Sequence, residues 1–503
     1  MKLRLSLIGL FVTFSASAAV SNVVVAPNGV PAFNAEFVAL KTQVATVSFD
    51  SSSAGAARIT LSLEGTKSED LRMIGLAKKD SNGELGECVK GKISSKKAEF
   101  SLSDVEKGKN EYSLVLVAND GKGAKRGKLP DLRRKLVVEG KKFRMGSVIT
   151  APGQEVVDVN RKSGYFRIPG IAETTKGSLV AIFDNRYNHG GDLPADITVG
   201  VSISKDKGLT WSPITTVLDY AKIPGAKAGI GDACILVDPS NGRIWVAALR
   251  TPDTGHPIWS SRSGSADITN CGQMILAYSD DEGKSWSKPI NITSAVKRIG
   301  DEDTAEWGLL FQGPGNGIAM SDGTLVFPCQ IWPGANTGKK WRYGCLVYSK
   351  DHGKTWQSSK AMPWAGSEST VVETTPGTLL LNTREGSMTA KTTNLGETWE
   401  KFQTTPNIRR CFCQSALVKL GKDLFFSTPD SNKREKMTVR KSEDWGKTWE
   451  KSLCYDPRSC AGYSSLCTVD NNSVGVIYEG NSPAGFKGPA FHYFVRIAAN
   501  EIK

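Results

Sequence analysis

The chain has 503 residues, of which 39% are hydrophobic and 51 are glycine, and its formal net charge is +13. This composition indicates a globular, loop-rich protein, and the length favours two domains over one. The positive charge favours acidic partners, but a basic run such as Lys122–Lys135 is more typical of a solvated surface than of a nucleic-acid site. We therefore do not expect nucleic acid as a partner.

The N-terminus has the layout of a secretory signal. Lys2 and Arg4 precede an apolar run from Leu5 to Phe14, and Ala16-Ser17-Ala18 follows as a small-residue cleavage site. We assign residues 1–19 to a signal peptide and expect a protein exported to the periplasm, the cell surface or the medium. No later run of about twenty apolar residues offers a transmembrane segment.

Residues 20–146 alternate between apolar and polar side chains in short runs. Arg58–Leu63 and Tyr112–Val117 are examples, and Gly, Asp, Asn and Ser separate such runs. This pattern predicts a small β-sandwich. Carbohydrate binding and a purely structural role both remain open for it.

The segment that follows brings together two arginines and a carboxylate. Arg167 precedes Ile-Pro, the strand-like run Ser178–Phe183 leads to Arg186, and a Gly-Gly pair precedes Asp192. Functional side chains often lie at strand ends and in the loops after them. A buried arginine paired with a neighbouring acid is the structural alternative.

A repeat, Ser-x-Asp-x-Gly-x-Thr-Trp, marks residues 147–503. Its copies span 204–211, 279–286, 349–356 and 442–449, with a degenerate copy at 392–399. Each copy follows an apolar run, and we interpret it as a hairpin in which Asp caps backbone N–H groups, Gly adopts a positive φ and Trp covers the turn.

Five hairpins of one type, roughly forty to seventy-five residues apart, indicate sheets repeated around an axis, which is a β-propeller. If one blade lacks the motif, six blades fit the length. The predicted fold is therefore all-β, a six-bladed propeller preceded by the smaller sandwich. Calcium loops are the alternative for the acidic hairpins, although each offers few carboxylates.

Cysteine and histidine give little support for a metal centre. The ten cysteines are Cys88, Cys234, Cys271, Cys329, Cys345, Cys411, Cys413, Cys454, Cys460 and Cys467. They lack zinc-type Cys-x-x-Cys pairs, and Cys454 and Cys460 are the pair to test for a disulfide. The four histidines are far apart in sequence, so neither a histidine metal site nor a Ser-His-Asp triad is indicated.

The Arg-Ile-Pro tripeptide, followed by Ser-x-Asp-x-Gly-x-Thr-Trp boxes, resembles the bacterial exo-sialidases, or neuraminidases, of the six-bladed propeller type. The resemblance runs from about Tyr165 to the C-terminus. It implies three arginines that bind the carboxylate of sialic acid through paired hydrogen bonds. The matching positions are Arg167, Arg384 and Arg434, with Arg440 as the alternative to Arg434.

The resemblance also implies a tyrosine nucleophile, as sialidases use instead of a second carboxylate. Tyr463 matches this position, and Glu368 matches the base beside it, with Glu373 as the alternative. Asp192 matches the general acid and base, with Asp196 as the alternative.

Three further positions match supporting residues of the family. Arg186 corresponds to an arginine that contacts the sugar, and Asp232 to an acid that lines the N-acyl side of the pocket. Glu479 corresponds to the acid that holds the first arginine in place.

The implied function is that of a retaining exo-α-sialidase, which releases terminal sialic acid from glycoproteins, glycolipids and oligosaccharides without a metal or organic cofactor. A trans-sialidase and an intramolecular, anhydro-forming sialidase are alternatives within the family. A non-catalytic propeller that binds sialoglycans is the alternative outside it. We expect a monomer, with a dimer as the alternative.

Overall fold

The computed structural model describes most of the chain from residue 19 onward. The described ranges are 19–27, 32–33, 42–64, 66, 71–79, 85–94, 96–118, 135–138, 141–144, 146–220, 229–252, 257–384, 388–403, 408, 411–480 and 491–503. Residues 1–18 of the predicted signal peptide lie outside these ranges, and so does most of the basic run 122–135.

Strands account for nearly all of the described N-terminal residues. They are β1 (Val20–Pro27), β2 (Ala32–Phe33), β3 (Thr42–Ser51), β4 (Gly55–Ser62), β5 (Leu71–Lys79), β6 (Leu85–Lys90), β7 (Lys92–Ile93), β8 (Lys97–Val105), β9 (Gly108–Ala118), β10 (Lys135–Val138) and β11 (Lys141–Arg144). One sheet has the order β1-β3-β9-β5-β6 and a second has the order β4-β8-β7, while β10 and β11 form a hairpin.

Alternation of side chains explains how these two sheets pack. Along β4 and β8 buried and exposed residues alternate, and Ile59, Leu61, Phe100 and Leu102 are buried. They belong to one core with Phe49 of the facing sheet. Because alternate side chains of a strand point to opposite faces, the apolar set fills the space between the sheets. The predicted β-sandwich is confirmed.

The strands of the larger C-terminal part begin at residue 146. They are β12 (Gly146–Thr150), β13 (Gln154–Val156), β14 (Arg161–Ser163), β15 (Tyr165–Glu173), β16 (Leu179–Arg186), β17 (Ile197–Ser204), β18 (Thr215–Leu218), β19 (Ile230–Val237), β20 (Ile244–Arg250), β21 (Gln273–Ser279), β22 (Ile290–Asn291), β23 (Trp307–Gln312), β24 (Gly315–Asn316), β25 (Ile318–Ala319), β26 (Leu325–Pro333), β27 (Tyr343–Ser349), β28 (Gln357–Ser358), β29 (Ser369–Glu373), β30 (Leu379–Thr383), β31 (Met388–Thr392), β32 (Glu400–Gln403), β33 (Ala416–Leu420), β34 (Asp423–Pro429), β35 (Glu435–Ser442), β36 (Lys451–Asp470), β37 (Ser473–Gly480) and β38 (Phe491–Ala498).

Within the described ranges, helical elements are few and short. They are α1 (Thr293–Lys297) and 3-10 turns at Ile258–Ser260, Glu302–Thr304, Ala335–Thr337 and Ala499–Glu501. Among the described residues, no helix combines the length and the apolar character that a membrane span requires.

These strands form the six blades of a propeller. The first four blades are β15–β18, β19–β22, β23 with β25–β28, and β29–β32. The last two blades share the long strand β36, which pairs with β35 through its first half and with β37 through its second half. The fifth blade is therefore β33–β36, and the sixth is β36–β38 completed by β12. The predicted propeller is confirmed.

The sixth blade closes the ring with strands from both ends of the propeller segment. β12 pairs antiparallel with β38, and Ser147 lies opposite Phe494. The sandwich side contributes too, since β2 pairs in parallel with β12. Because its outer strand comes from the beginning of the segment, this blade has no hairpin after its third strand and no place for the repeat.

The repeat closes the hairpin between the third and fourth strands of the other five blades. In the first copy, Gly208 N donates to Ser204 Oγ at 2.8 Å, and Thr210 N donates to Asp206 Oδ1 at 2.8 Å. The Thr210 hydroxyl donates to the second carboxylate oxygen. The copies at 279–286, 349–356 and 442–449 repeat these bonds, with Ser285 in place of Thr in the first of them, and the glycines of all five copies have φ between 81° and 89°.

The acidic hairpins therefore use their carboxylates internally. In the degenerate copy Asn394 Oδ1 replaces the carboxylate and accepts from Thr398 N at 3.0 Å. The indoles of Trp356 and Trp449 donate to the glycine carbonyls of their own turns. The described residues contain no cluster of three or more metal-ligating side chains, so the alternative of calcium loops gains no support.

All ten cysteines lie within the described ranges, and all are free thiols. The disulfide between Cys454 and Cys460, the pair that the sequence marked for testing, is therefore not formed in this structure. Cys454 lies opposite Thr438 in the fifth blade, whereas Cys460 lies opposite Gly480 in the sixth. The passage of β36 from one blade to the next separates their surroundings.

Candidate active site

The residues singled out in the sequence come from different blades but meet at one end of the central channel. Arg167 lies near the start of β15, Asp232 near the start of β19, and Glu368 directly before β29. Tyr463 lies in the half of β36 that forms the inner strand of the sixth blade. Since the inner strands of a propeller run in the same direction, their starts converge around the axis.

A tyrosine and a glutamate form the centre of this cluster. The Tyr463 hydroxyl lies 2.6 Å from each carboxylate oxygen of Glu368. Arg384 Nη1 lies 3.0 Å from the same hydroxyl and 3.0 Å from Glu368 Oε2. The phenol proton therefore has a carboxylate as its acceptor, and a guanidinium neighbours both groups.

Burial controls the ionisation of this pair. It raises the pKa of Glu368 above its ordinary value, against the opposing effect of Arg384. Burial and the Glu368 carboxylate together raise the pKa of Tyr463 well above 10. In the resting protein the phenol is neutral, and the carboxylate is a stronger proton acceptor than an exposed one.

Three guanidinium groups surround the Tyr463 ring. The Cζ atoms of Arg167, Arg384 and Arg434 lie 5.2, 6.0 and 5.5 Å from the ring centroid. Arg434 is fixed by a 2.8 Å bond from Nη1 to the Ala461 carbonyl. This arrangement places three cations where one carboxylate could contact all of them.

Arg440, the alternative to Arg434, lies elsewhere. Its guanidinium pairs with Asp430 at 2.9 Å and donates to the Trp449 carbonyl at 3.2 Å. Its side chain is therefore engaged within the fifth blade. Of the two arginines, Arg434 is the one that contacts the cluster.

Glu479 fixes two members of the cluster at once. Its Oε1 accepts from Arg167 Nε at 2.6 Å and from Ile168 N at 2.9 Å, and its Oε2 accepts from Tyr463 N at 3.2 Å. Although burial opposes its charge, the Arg167 guanidinium keeps the pKa of Glu479 below its ordinary value. A single buried carboxylate therefore positions the first arginine and the backbone of the tyrosine.

Arg186 connects the exposed loop to the interior. Its Nη1 donates to Asp192 Oδ1 and to the Gly190 carbonyl, both at 2.8 Å. Its Nε and Nη2 donate to Asp184 Oδ2 at 3.2 and 2.9 Å. The Asp192 side chain is 71% exposed, and its pKa is lowered because Arg186 outweighs the effect of burial. Asp192 is therefore ionised and paired in the resting protein.

Asp232 lies beside the buried end of this chain of contacts. Its φ is 54°, and its backbone N–H donates to Asp184 Oδ1 at 3.0 Å. Burial and the Asp184 carboxylate raise the pKa of Asp232 well above its ordinary value. Asp184 is the ionised member of the pair, since Arg186 bonds it directly, and Asp232 is the protonated one.

The remaining alternatives lie outside the cluster. Asp196 accepts from Arg161 at 3.2 Å and from the Tyr220 hydroxyl at 3.1 Å. Glu373, at the far end of β29, accepts from the backbone of Ser321 and of Gly377. Asp196 is thus engaged by side chains outside the cluster, and Glu373 holds a turn.

The sequence analysis missed two parts of this site. The first is Asp184, which shares a strand face with Arg186 because the two are two positions apart. The second is Cys411-Phe412-Cys413, since Phe412 contacts Arg384 and both cysteines pack on Tyr463 and Ile168. The i, i+2 spacing in a strand signalled the first, whereas no local pattern signalled the second.

Comparison with known proteins finds chains of similar sequence and fold. Residues 178–476 match the model of the BNR repeat-like domain. A sialidase of Bacteroides fragilis is 38% identical over 364 residues, which are 68% of this chain and 63% of that protein. A sialidase of Paraclostridium sordellii is 29% identical over 65% of this chain and 85% of its own length.

A solved structure of similar extent is also known. The Hadza microbial sialidase Hz136 is 27% identical and superposes with a TM-score of 0.78, over 95% of this chain and 100% of that structure. Taken with the family model, these likenesses show that the chain belongs to the BNR, or Asp-box, family of bacterial sialidases, which are glycoside hydrolases.

Proposed function

We propose that the protein is a retaining exo-α-sialidase that uses Tyr463 as its nucleophile. The observation that carries the proposal is the Tyr463 hydroxyl at 2.6 Å from both Glu368 oxygens, with three guanidinium groups around the ring. A protein that only binds sialic acid needs the arginines but has no use for a base on the phenol.

The three arginines define where the substrate carboxylate would bind. Arg167, Arg384 and Arg434 supply paired donors at fixed positions, which suits a planar carboxylate. That carboxylate is attached to the anomeric carbon itself, so an anionic nucleophile would approach against its charge. A neutral phenol that loses its proton only during attack avoids this repulsion.

In the first step Glu368 would accept the phenol proton while Tyr463 Oη bonds to the anomeric carbon. Asp192 would protonate the departing glycosidic oxygen. In the second step Asp192 would take a proton from water, and the water oxygen would bond to the same carbon. The bond from that carbon to Tyr463 Oη would break, and the proton would return from Glu368 to the phenol oxygen. Two displacements at one carbon leave its configuration unchanged.

The ion pair between Asp192 and Arg186 must open before Asp192 can act as the acid. With Arg186 at 2.8 Å, Asp192 is ionised and cannot donate a proton. A sugar hydroxyl that accepts from Arg186 Nη1 would free the carboxylate, and loss of the cation would raise its pKa. Substrate binding would thus prepare the acid.

The proposed substrates are sialylated glycans on glycoproteins, glycolipids and oligosaccharides. We also propose that the protein is exported and acts as a monomer. Both remain predictions, and cell fractionation and light scattering test them. Neither affects the chemistry of the site.

Proton NMR of the product from a sialyllactose tests the mechanism. The first sialic acid to appear should be the α-anomer, and Tyr463→Phe should abolish its release. Tyr278→Phe is the matched control, because this tyrosine stacks on Arg243 beside the second Asp-box and lies at the other end of its blade. The control should keep full activity.

Other products would change the assignment. A 2,7-anhydro product would favour the intramolecular sialidase, and transfer to added lactose would favour the trans-sialidase. Saturable binding without turnover would leave a sialoglycan-binding propeller. Full activity of Tyr463→Phe would exclude the tyrosine nucleophile.

A further inference from the structure

A tripeptide with two thiols borders the arginine cluster. Cys411 and Cys413 are 9% and 4% exposed and form a small apolar cluster with Ile168 and Tyr463. Phe412 between them is 57% exposed, so the segment presents its ring outward and both sulfurs inward. The proposed mechanism gives the thiols no role.

Phe412 contacts two of the three arginines. Arg384 Cζ lies 4.4 Å from the centroid of its ring, and Arg434 Nη2 donates to its carbonyl at 3.4 Å. Any change in the backbone at Phe412 therefore alters the surroundings of both guanidinium groups. The third arginine, Arg167, is held by Glu479 instead.

The two thiols are neighbours in space as well as in sequence. A hydrogen bond from Cys413 is the main cause that lowers the pKa of Cys411, to about 7. Burial opposes this effect, and the positive charge of Arg434 adds to it. A substantial part of Cys411 is then a thiolate at neutral pH, which is the form that attacks disulfides.

The chain geometry permits a bond between them. Two residues span at most about 7 Å, and the backbone bends at Phe412, which shortens the span. Disulfides accept Cα separations of about 4.4–6.8 Å. Closure therefore requires a local adjustment at Phe412 and no movement of a blade.

We propose that Cys411 and Cys413 are a redox modification site: a small disulfide such as oxidised glutathione converts them into an intramolecular disulfide, which weakens the binding of an anionic ligand at the arginine cluster. The thiol chemistry is independent of sialidase activity, whereas its effect on a sialoside rests on the proposed function.

The reaction is an ordinary thiol–disulfide exchange. The Cys411 thiolate attacks one sulfur of oxidised glutathione, forms a mixed disulfide and releases one glutathione thiolate. Cys413 then loses its proton and attacks Cys411 Sγ, and the second glutathione leaves. Two protein thiols are oxidised, and one glutathione disulfide is reduced to two thiols.

Closure should affect binding more than turnover. It would move the Phe412 carbonyl away from Arg434 and the ring away from Arg384, but leave the bond between Tyr463 and Glu368 in place. We expect KM for a sialoside to rise about tenfold, the effect of one charged hydrogen bond, with a smaller change in kcat. Reduced glutathione should restore the original KM.

Trypsin provides a direct readout, because cleavage after Arg410 and Lys419 leaves both cysteines in one peptide, Cys411–Lys419. The full-length protein is incubated with reduced or oxidised glutathione, alkylated and digested. The reduced peptide should carry two alkyl groups, whereas the oxidised peptide should carry none and lie about 2 Da below its unmodified mass, because a disulfide loses two hydrogens.

Variants separate the two parts of the proposal. Cys411→Ser removes the attacking thiolate and should keep a constant KM in oxidised glutathione, whereas Cys413→Ser should stop at the mixed disulfide between Cys411 and glutathione, which the peptide mass reports. Cys88→Ser, a control in the sandwich, should respond like the original protein. Two alkylated cysteines after oxidation, or a cross-link from Cys411 to Cys460, would refute the site. A closed peptide with unchanged KM would refute the coupling to the arginines.

The thiol proposal can be tested even if the protein has no sialidase activity. The mass of the peptide judges the thiol chemistry, and titration of reduced and oxidised protein with free sialic acid judges the coupling. Failure of turnover in the reduced protein alone would count against the proposed function and not against the thiol pair.

Discussion

The two ends of each blade depend on contacts of very different range. The bonds within each Asp-box turn join residues four positions apart, such as Gly208 with Ser204, and contacts such as Ser147 with Gly208 then dock the turn. At the channel end, Tyr463 bonds to Glu368, 95 positions away, and Arg167 bonds to Glu479, 312 positions away. The bonds of an Asp-box turn are local, whereas the site exists only once the ring has closed.

This difference predicts how substitutions will act. Changes at the channel end should alter catalysis or weaken the contacts between distant blades. Changes at an Asp-box should reduce only the local stability of the hairpin. Glu368→Gln should have the largest effect, because it removes the base from Tyr463 and leaves the blade intact. We expect kcat to fall about 10³-fold, within the range for loss of a general base.

Glu373→Gln is the matched control for that measurement, since Glu373 lies at the opposite end of β29 and holds a turn. Steady-state kinetics with an aryl sialoside should find it close to the original protein. Equal losses in the two variants would mean that Glu368 acts through the fold and not as a base.

Protonation of His492 should destabilise the pairing of β12 with β38, which closes the propeller, at low pH. His492 accepts or donates a bond to Thr150 Oγ1 at 3.0 Å, and burial lowers its pKa from 6.5 to about 3. Below about pH 6.5 this histidine binds a proton in the unfolded chain but not in the folded chain, so the free energy of unfolding falls as the pH decreases. The loss by pH 3 should approach about 4 kcal/mol.

Thermal unfolding across this pH range measures the effect. His492→Gln removes the titrating group and should flatten the decrease between pH 6.5 and 3, whereas His189→Gln, on the exposed loop, should not. Parallel curves for His492→Gln and the original protein would show that other groups control the acid transition.

Glu479→Gln should damage both stability and activity. Loss of the charge leaves Arg167 buried without a counterion, which costs about 3 kcal/mol in comparable pairs. The backbone of Tyr463 also loses its fixed acceptor, and kcat/KM should fall about 100-fold through misplacement. Chemical denaturation and kinetics test both, with the exposed Glu443→Gln as the control.

Asp206→Ala should have the smallest effect. It removes the carboxylate that accepts from Thr210 in the first Asp-box, and the free energy of unfolding should fall by about 1 kcal/mol. Activity of the folded protein should not change. A large loss of activity would contradict the separation between the two ends of the blade.

The range of contacts also explains what could be predicted. The Asp-boxes and the alternation in residues such as Arg58–Leu63 are local, so the sequence sufficed to predict the propeller and the sandwich. The cluster positions Arg167, Glu368 and Tyr463 followed from a resemblance, and the structure brings them together. Their chemical roles stay predictions.

Other features depended on tertiary contacts. Arg434 directly precedes β35 and Arg440 lies within it, and only the folded blade places the first beside Tyr463 and the second beside Asp430. The nearness of Phe412 to Arg384 joins two blades and has no local signature. Cys454 and Cys460, the pair that the sequence marked for testing, do not form a disulfide, because β36 changes blades between these residues.

The length of β36 limits how this protein can vary. Ala461, whose carbonyl holds Arg434, and Tyr463 lie two residues apart on this one ribbon. Loops between other strands can lengthen without altering the distance from cation to nucleophile. An insertion or deletion in this strand would change that distance directly, so lineages and engineered variants should accept length changes here less readily than in loops that carry no member of the cluster.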